Sequence, residues 1–300
     1  MPEGIILKGV GSFYEVLQEG GPCTPYTCKV RGIHRKKGGT TPVPGDRVTF
    51  DILDEANHEG HIDQILERRN AFVRPPVSNI DQLAIVLAVT SPSPDLMLLD
   101  KLIITCLAKE IRPLLVINKM DLDQEHQFDR LLSAYEKTGF SIIGLSKFQP
   151  EGHKLLHQSL IGYTTALAGQ SGVGKSTILN TILNHWLMET GEVSDRIQRG
   201  KHTTRHVQLF RLDQGGFFMD TPGFSSFSVS DVAHDTLKDY YPEFDSVQGA
   251  CRFKGCSHTD EPDCAVRGLV EEGKLDEGRY NRYIKLYKEL KEIYDNRYRR

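Results

Sequence analysis

The run Gly169-Gln170-Ser171-Gly172-Val173-Gly174-Lys175-Ser176 constrains this chain more than any other feature. Its pattern, G-x-x-x-x-G-K-[ST], places glycines where a backbone must bend round an anion and turn its N–H groups inward. Ahead of it, Thr164-Thr165-Ala166-Leu167-Ala168 reads as a short buried strand, and Thr177 to Leu183 reads as an amphipathic helix. Strand, glycine loop and helix together specify a phosphate site, with the positive end of the helix dipole aimed at the phosphates. There Lys175 is expected to reach the β- and γ-phosphates, and the Ser176 hydroxyl to ligate Mg²⁺. The N–H groups from Gly169 to Thr177 supply the remaining contacts.

A second motif names the base. Asn118-Lys119-Met120-Asp121 ends the apolar run Leu114-Leu115-Val116-Ile117. At a strand end, Asp121 can accept from the N1 and N2 donors of guanine, Asn118 binds the O6 side, and the Lys119 stem packs on the base plane. Adenine offers the wrong edge, so the set favours GTP over ATP. Ser146-Lys147, after the strand Ile142-Ile143-Gly144-Leu145, would be a second guanine loop, degenerate and weak when taken alone. Asp220-Thr221-Pro222-Gly223 follows the apolar strand Gly216-Phe217-Phe218-Met219. Its Asp would hold Mg²⁺ directly or through water, and Gly223 would offer its N–H to the γ-phosphate. A bare D-x-x-G occurs about once per chain by chance, so only its place after the phosphate loop makes it persuasive. Between the two lies Gly200-Lys201-His202-Thr203-Thr204-Arg205-His206, where Thr203 or Thr204 is a candidate for the switch hydroxyl on Mg²⁺; in isolation the stretch reads as a basic surface loop.

The order is unusual. The guanine motif precedes the phosphate loop, although the motifs keep one cyclic order cut at a different point. Compact domains tolerate such cuts because their termini usually lie close together. With G-Q-S-G-V-G-K-S, G-K-H-T-T-R-H and D-T-P-G-F-S in place, the chain resembles the circularly permuted, small-ribosomal-subunit-dependent GTPases of bacteria (RsgA, or YjeQ/YloQ, type) over essentially its whole length. The resemblance implies a GTP hydrolase that binds the small (30S) subunit and its 16S rRNA, is stimulated by it, and assists its late maturation. A nucleotide-gated rRNA-binding scaffold with little turnover is the competing reading. The permutation also sends the chain after Gly223 into a C-terminal region instead of back to the sheet, so a γ-phosphate switch there would act on that region through the backbone.

The flanks fit this reading. Residues 4–70 show short strands at Phe13–Leu17, Tyr26–Val30, Arg47–Ile52 and Gly60–Ile65, separated by glycine and proline turns, which suggests a small closed barrel. The loop Arg31 to Lys37 is basic; alone it reads as a solvated charge run, and the family's OB-type RNA-binding domain favours a nucleic-acid contact. Arg74-Pro75-Pro76 reads as a rigid linker, and from Leu83 onward strands and helices alternate as in a mostly parallel sheet covered on both faces. Cys251, Cys256, His258 and Cys264 follow a C-x4-C-x-H-x5-C spacing, a closed tetrahedral set for one structural Zn²⁺. The final stretch, Arg279 to Arg300, carries Tyr280, Tyr283, Ile284, Tyr287, Leu290 and Tyr294 on roughly one side, with Arg282, Lys285, Lys288, Lys291 and Arg297 among them. It reads equally as an rRNA contact or as a docking helix with a solvated face.

The expected fold is therefore α/β: an OB-like β-barrel over 1–70, a circularly permuted P-loop GTPase domain over 71–228, and a zinc-binding, mainly helical domain over 229–300. The chain has 300 residues, a net charge of −3 and six cysteines. No signal peptide or membrane-spanning run is evident, and cysteines at ligand spacing suit a reducing cytosol, so a cytoplasmic monomer without a membrane partner is expected. In many GTPases a Gln after D-x-x-G orients the attacking water; Phe224 stands there instead. Intrinsic turnover should be slow, with a partner or another group completing the site. His202 is a candidate for ordering the water or an ordinary switch-loop contact.

Overall fold

The computed structural model describes residues 1–30, 40–190, 207–220 and 229–298. Strands β1 (Glu3–Val10), β2 (Phe13–Gln18), β3 (Tyr26–Val30), β4 (Arg47–Asp54) and β5 (Glu59–Ile65) close a barrel in the order β1-β2-β3-β5-β4. The β3–β5 pair is parallel and the other pairs are antiparallel. Alternation along each strand turns Ile6, Val16, Tyr26, Cys28, Val48, Phe50 and Ile62 inward as one core, and closure leaves no open edge. The sequence pattern identifies β2 to β5 but not β1.

Asp46, wholly buried, ties the barrel to the segment that follows it. Its carboxylate accepts from Arg68 Nε at 2.6 Å and Nη2 at 2.7 Å, from Ser78 Oγ at 2.6 Å and from the Val43 N–H at 2.8 Å. Arg74 and Pro75 do not form a linker. They are the turn of a hairpin whose strands are β6 (Ala71–Val73) and β7 (Pro76–Ser78), and Val77 and Ser78 are buried. A proline pair stiffens a turn as readily as a spacer, and burial of β7 decides for the turn.

The central sheet holds β8 (Gln82–Ala88), β9 (Arg112–Asn118), β10 (Ser141–Gly144), β11 (Thr164–Ala168), β12 (Gln208–Arg211) and β13 (Phe217–Asp220) in the order β10-β9-β8-β11-β13-β12. The short edge strand β12, which the sequence pattern does not mark, runs antiparallel to its β13 neighbour; β10–β9 and β11–β13 are parallel. Both β8 and β11 are buried at every position, as expected of interior strands of a parallel sheet. Helices α1 (Leu96–Ala108), α2 (Gln127–Tyr135), α3 (Pro150–Leu160) and α4 (Lys175–Thr190) make the crossovers.

The chain divides into two compact units, Met1–Leu83 with Leu156–Leu167 and Lys175–Phe224, and Ala84–Leu155 with Ala168–Gly174 and Ser225–Arg300. Within the second, α5 (Ala265–Glu271) and α6 (Glu277–Tyr298) share a core with Val229, Leu237, Tyr241, Phe244 and Ile104 of α1. A buried ionic cluster fastens these elements. Asp100 of α1 accepts from Arg279 Nη1 at 2.7 Å, Arg282 Nε at 2.6 Å and Tyr135 Oη at 2.5 Å, while Arg279 Nε also donates to Glu243. Two carboxylates and two guanidiniums balance, and the Arg279 guanidinium lies 4.8 Å and 4.6 Å from the Tyr135 and Tyr241 ring centroids. Arg282, grouped by sequence with the basic residues of the last helix, thus points into this cluster. Among the described residues, no helix is long and apolar enough to cross a membrane.

Candidate nucleotide and metal sites

The loop after β11 is shaped by its glycines. Gly169 has φ +135°, and a Cβ there would lie 2.1 Å from the Val86 carbonyl oxygen. Gly174 has φ +101°, and a Cβ there would stand 2.3 Å from Asn118 Nδ2. Only glycine combines that conformation with that approach. Ser171 and Gly172 are exposed, Val173 is buried, and Gln170 accepts at Oε1 from the Asp95 N–H, 3.2 Å away, at the start of α1. Lys175, Ser176 and Thr177 open α4. Ser176 and Thr177 are exposed, and the half-buried Lys175 ammonium has its pKa lowered by desolvation. An ammonium short of solvation at a helix start is suited to a polyanion.

Asn118 closes β9 and donates from Nδ2 to the Val173 carbonyl at 2.9 Å. Lys119, at φ +64°, donates to the carbonyls of Ser91 and of Gly172, the latter at 2.9 Å. The guanine motif is thereby tied to the phosphate loop, although the residues are 53 to 55 positions apart in the chain. The second guanine loop joins them. Leu145 N–H donates to the Ile117 carbonyl at 2.7 Å, Met120 N–H to the Leu145 carbonyl at 3.0 Å, and Lys147 N–H to Asp121 Oδ1 at 3.2 Å. Ser146 is buried, whereas Asp121 and Lys147 face solvent. The structure thus brings Asn118, Lys119, Asp121, Ser146 and Lys147 together with Gly169–Gly174. Asp220 ends β13. Thr203, Thr204, His202, Gly223 and Phe224 lie outside the described residues, as does the basic loop from Arg31 to Lys37.

The ligand atoms of Cys251, Cys256, His258 and Cys264 all lie within 4.8 Å of one another. His258 Nδ1 is 3.5 Å from both Cys251 Sγ and Cys264 Sγ. None of the six cysteines forms a disulfide. The left-handed backbone of His258, at φ 59°, turns the chain back on the cluster. Burial raises the Cys256 thiol to about 12 and raises Cys264, and it lowers the pKa of His258. Three thiols and one imidazole that lose solvation together are a donor set that fits a structural zinc. Its surroundings are rigid. Tyr280 Oη donates to the His258 carbonyl at 2.9 Å and Tyr283 Oη to that of Ser257. Desolvation alone would raise the Glu261 carboxyl, yet bonds from Ser257 and Thr259 outweigh it and hold the pKa near about 2. Cys106 and Cys28 are buried, and Cys23 is exposed; none of the three joins the cluster.

A family model described as RsgA GTPase matches residues 65–230, and one described as RsgA N-terminal domain matches residues 3–62. The chain belongs to the RsgA family of GTPases. It is 50% identical over 293 residues to the small ribosomal subunit biogenesis GTPase RsgA of Ruminiclostridium cellulolyticum, covering 98% of this chain and 95% of that one. Identity to the RsgA of Alkaliphilus metalliredigens is 43%, over 97% and 98% of the two chains. Among solved structures, YjeQ from Thermotoga maritima superposes with a TM-score of 0.80 at 33% identity, over 96% of this chain and 98% of that one. YloQ, a circularly permuted GTPase, does so with a TM-score of 0.80 at 33% identity, over 97% and 96%. As an RsgA GTPase the chain is a circularly permuted GTP hydrolase, with a five-stranded barrel before its central sheet and a Cys3His cluster after it.

Proposed function

We propose that this chain is a cytoplasmic, monomeric GTPase that binds the small ribosomal subunit through its 16S rRNA, is stimulated by it, and assists its late maturation. The observation that carries this reading is the 50% identity, across 98% of the chain, to a small ribosomal subunit biogenesis GTPase. We assign the barrel to residues 1–70, the GTPase domain to 71–228 and the zinc domain to 229–300.

Hydrolysis rests on positioning and charge neutralisation. Asn118 and Asp121 hold the guanine edge, and the amides of Gly169–Thr177 with Lys175 hold the phosphates. Ser176, exposed in the first turn of α4, and Asp220, at the end of β13, are the hydroxyl and carboxylate that a hard cation takes. With Thr203 or Thr204 they would hold Mg²⁺, which would neutralise charge across the β- and γ-phosphates. Gly223 offers its N–H to the γ-phosphate. Phe224 cannot order water, so that task falls to His202 or to the ribosomal partner. Zinc, held by Cys251, Cys256, His258 and Cys264, would be structural, since the protein fills all four positions.

Phosphate release from GTP, measured with and without small subunits, tests the assignment. Slow basal turnover, strong stimulation and loss of both in Lys175→Ala are the expected results. Binding to subunits that is indifferent to GTP or GDP, with no phosphate release, would replace the enzyme by a passive rRNA-binding scaffold.

A further inference from the structure

Phe148 is a large apolar side chain that is 77% exposed, and the hydrolysis scheme above gives it no task. Isolated exposed apolar residues are common and need no explanation by themselves. This one stands at a defined place. Ser146 and Gln149 form a β-bridge, and the Phe148 N–H donates to Ser146 Oγ at 3.3 Å, so Phe148 occupies the crown of a tight turn after β10. That turn belongs to the base site, because the Lys147 N–H lies 3.2 Å from Asp121 Oδ1. Phe148 is thus the next residue after the amide that touches the base-reading carboxylate.

Lys119 has its ammonium bound to the Ser91 and Gly172 carbonyls, which holds its stem along the loop junction and gives one apolar wall. The Lys147 ammonium lies 5.8 Å from the Phe148 ring centroid, at the distance of a cation over an aromatic face. A purine is a planar π-system, and aromatic side chains stack on bases with substantial and sequence-tolerant energy.

We propose that Phe148 is a base-stacking residue: its ring covers the face of the bound guanine that the Lys119 stem leaves open. The inference rests on the assignment of Asn118 and Asp121 as the guanine readers. It adds affinity without adding base choice, because every purine presents a π-face.

The test uses the full-length protein and GDP, GTP, ADP and xanthosine diphosphate as ligands. Phe148→Ala should weaken GDP and GTP alike, by about tenfold. It should raise KM with kcat unchanged, since stacking is equal in ground and transition states. Its Tm should not move, as the ring is exposed. Phe148→Trp should restore affinity and, in a Trp186→Phe background, show fluorescence quenched by GDP. Asp121→Asn tests the base reading separately by shifting preference from guanine to xanthine. If that shift occurs while Phe148→Ala binds GDP within about twofold of wild type, the stacking role is overturned and the base reading stands. Wild-type protein that binds ADP as well as GDP would overturn the base reading, and the stacking role would then stand or fall on Phe148→Ala alone.

Discussion

Gly174 shows how one missing atom couples two motifs. Its φ of +101° already disfavours any side chain, and the position a Cβ would take lies 2.3 Å from Asn118 Nδ2. That nitrogen is the one that donates to the Val173 carbonyl, so it cannot move away without releasing the bond between base loop and phosphate loop. A left-handed conformation costs an L-residue about 1–2 kcal/mol, and displacement of Asn118 adds to it. Gly174→Ala is therefore expected to weaken GDP by well over tenfold in isothermal titration. Gly139→Ala serves as the control. Gly139 has a positive φ of 73° but nothing within 4 Å of its Cβ position, so the strain is local and nucleotide affinity should be unchanged. Equal effects of the two substitutions would mean that backbone strain alone, and not the contact with Asn118, governs the site.

At the level of elements, α6 is held by two kinds of ion pair that should differ sharply in worth. Lys101 and Glu289 pair at 3.0 Å with side chains 22% and 45% exposed, so water screens them and the pair contributes about 0–1 kcal/mol. Arg279 and Asp100 are 1% and 0% exposed. Removing one partner there leaves an uncompensated buried charge and costs about 3–5 kcal/mol. Hence Arg279→Met should lower stability to urea far more than Lys101→Ala, and comparable losses would count against the cluster as the main fastening. None of this cluster was legible in the sequence. Its partners Asp100 and Arg279 lie 179 positions apart, and Arg282 reads in sequence as one more surface cation. The aromatic stripe of the same helix was legible, because helical period places Tyr280, Tyr283 and Leu290 on one face, and all three are buried. Tyr294, on the same stripe, is 45% exposed, since the stripe outruns the core that it covers.

For the whole molecule, local spacing made the candidate phosphate loop, guanine motif and Cys3His set legible, because each is a short run with fixed chemistry. What it could not carry was the joining of Asn118, Lys119 and Asp121 to distant loops, which depends on the strand order of the sheet. Permutation makes that order consequential in a second way. The chain leaves β13 at Asp220, and by Val229 is in a packed core with Leu237, Tyr283 and Ile104 of α1. A change imposed by γ-phosphate at Gly223 would therefore enter a close-packed region within a few residues, and such interiors shift between discrete arrangements more readily than they stretch. The far end of that core has its own anchor in the Asp100 cluster, which contains no residue of the nucleotide site. Hydrogen exchange compared between GDP and a non-hydrolysable GTP analogue should consequently differ over residues 229–240, ahead of Glu243 in the anchored cluster. It should be unchanged at Tyr283 to Leu290, inside α6. Lys175→Ala, which cannot grip the γ-phosphate, should abolish the difference. Identical uptake over 229–240 in both nucleotide states would leave the permuted order without a mechanical role.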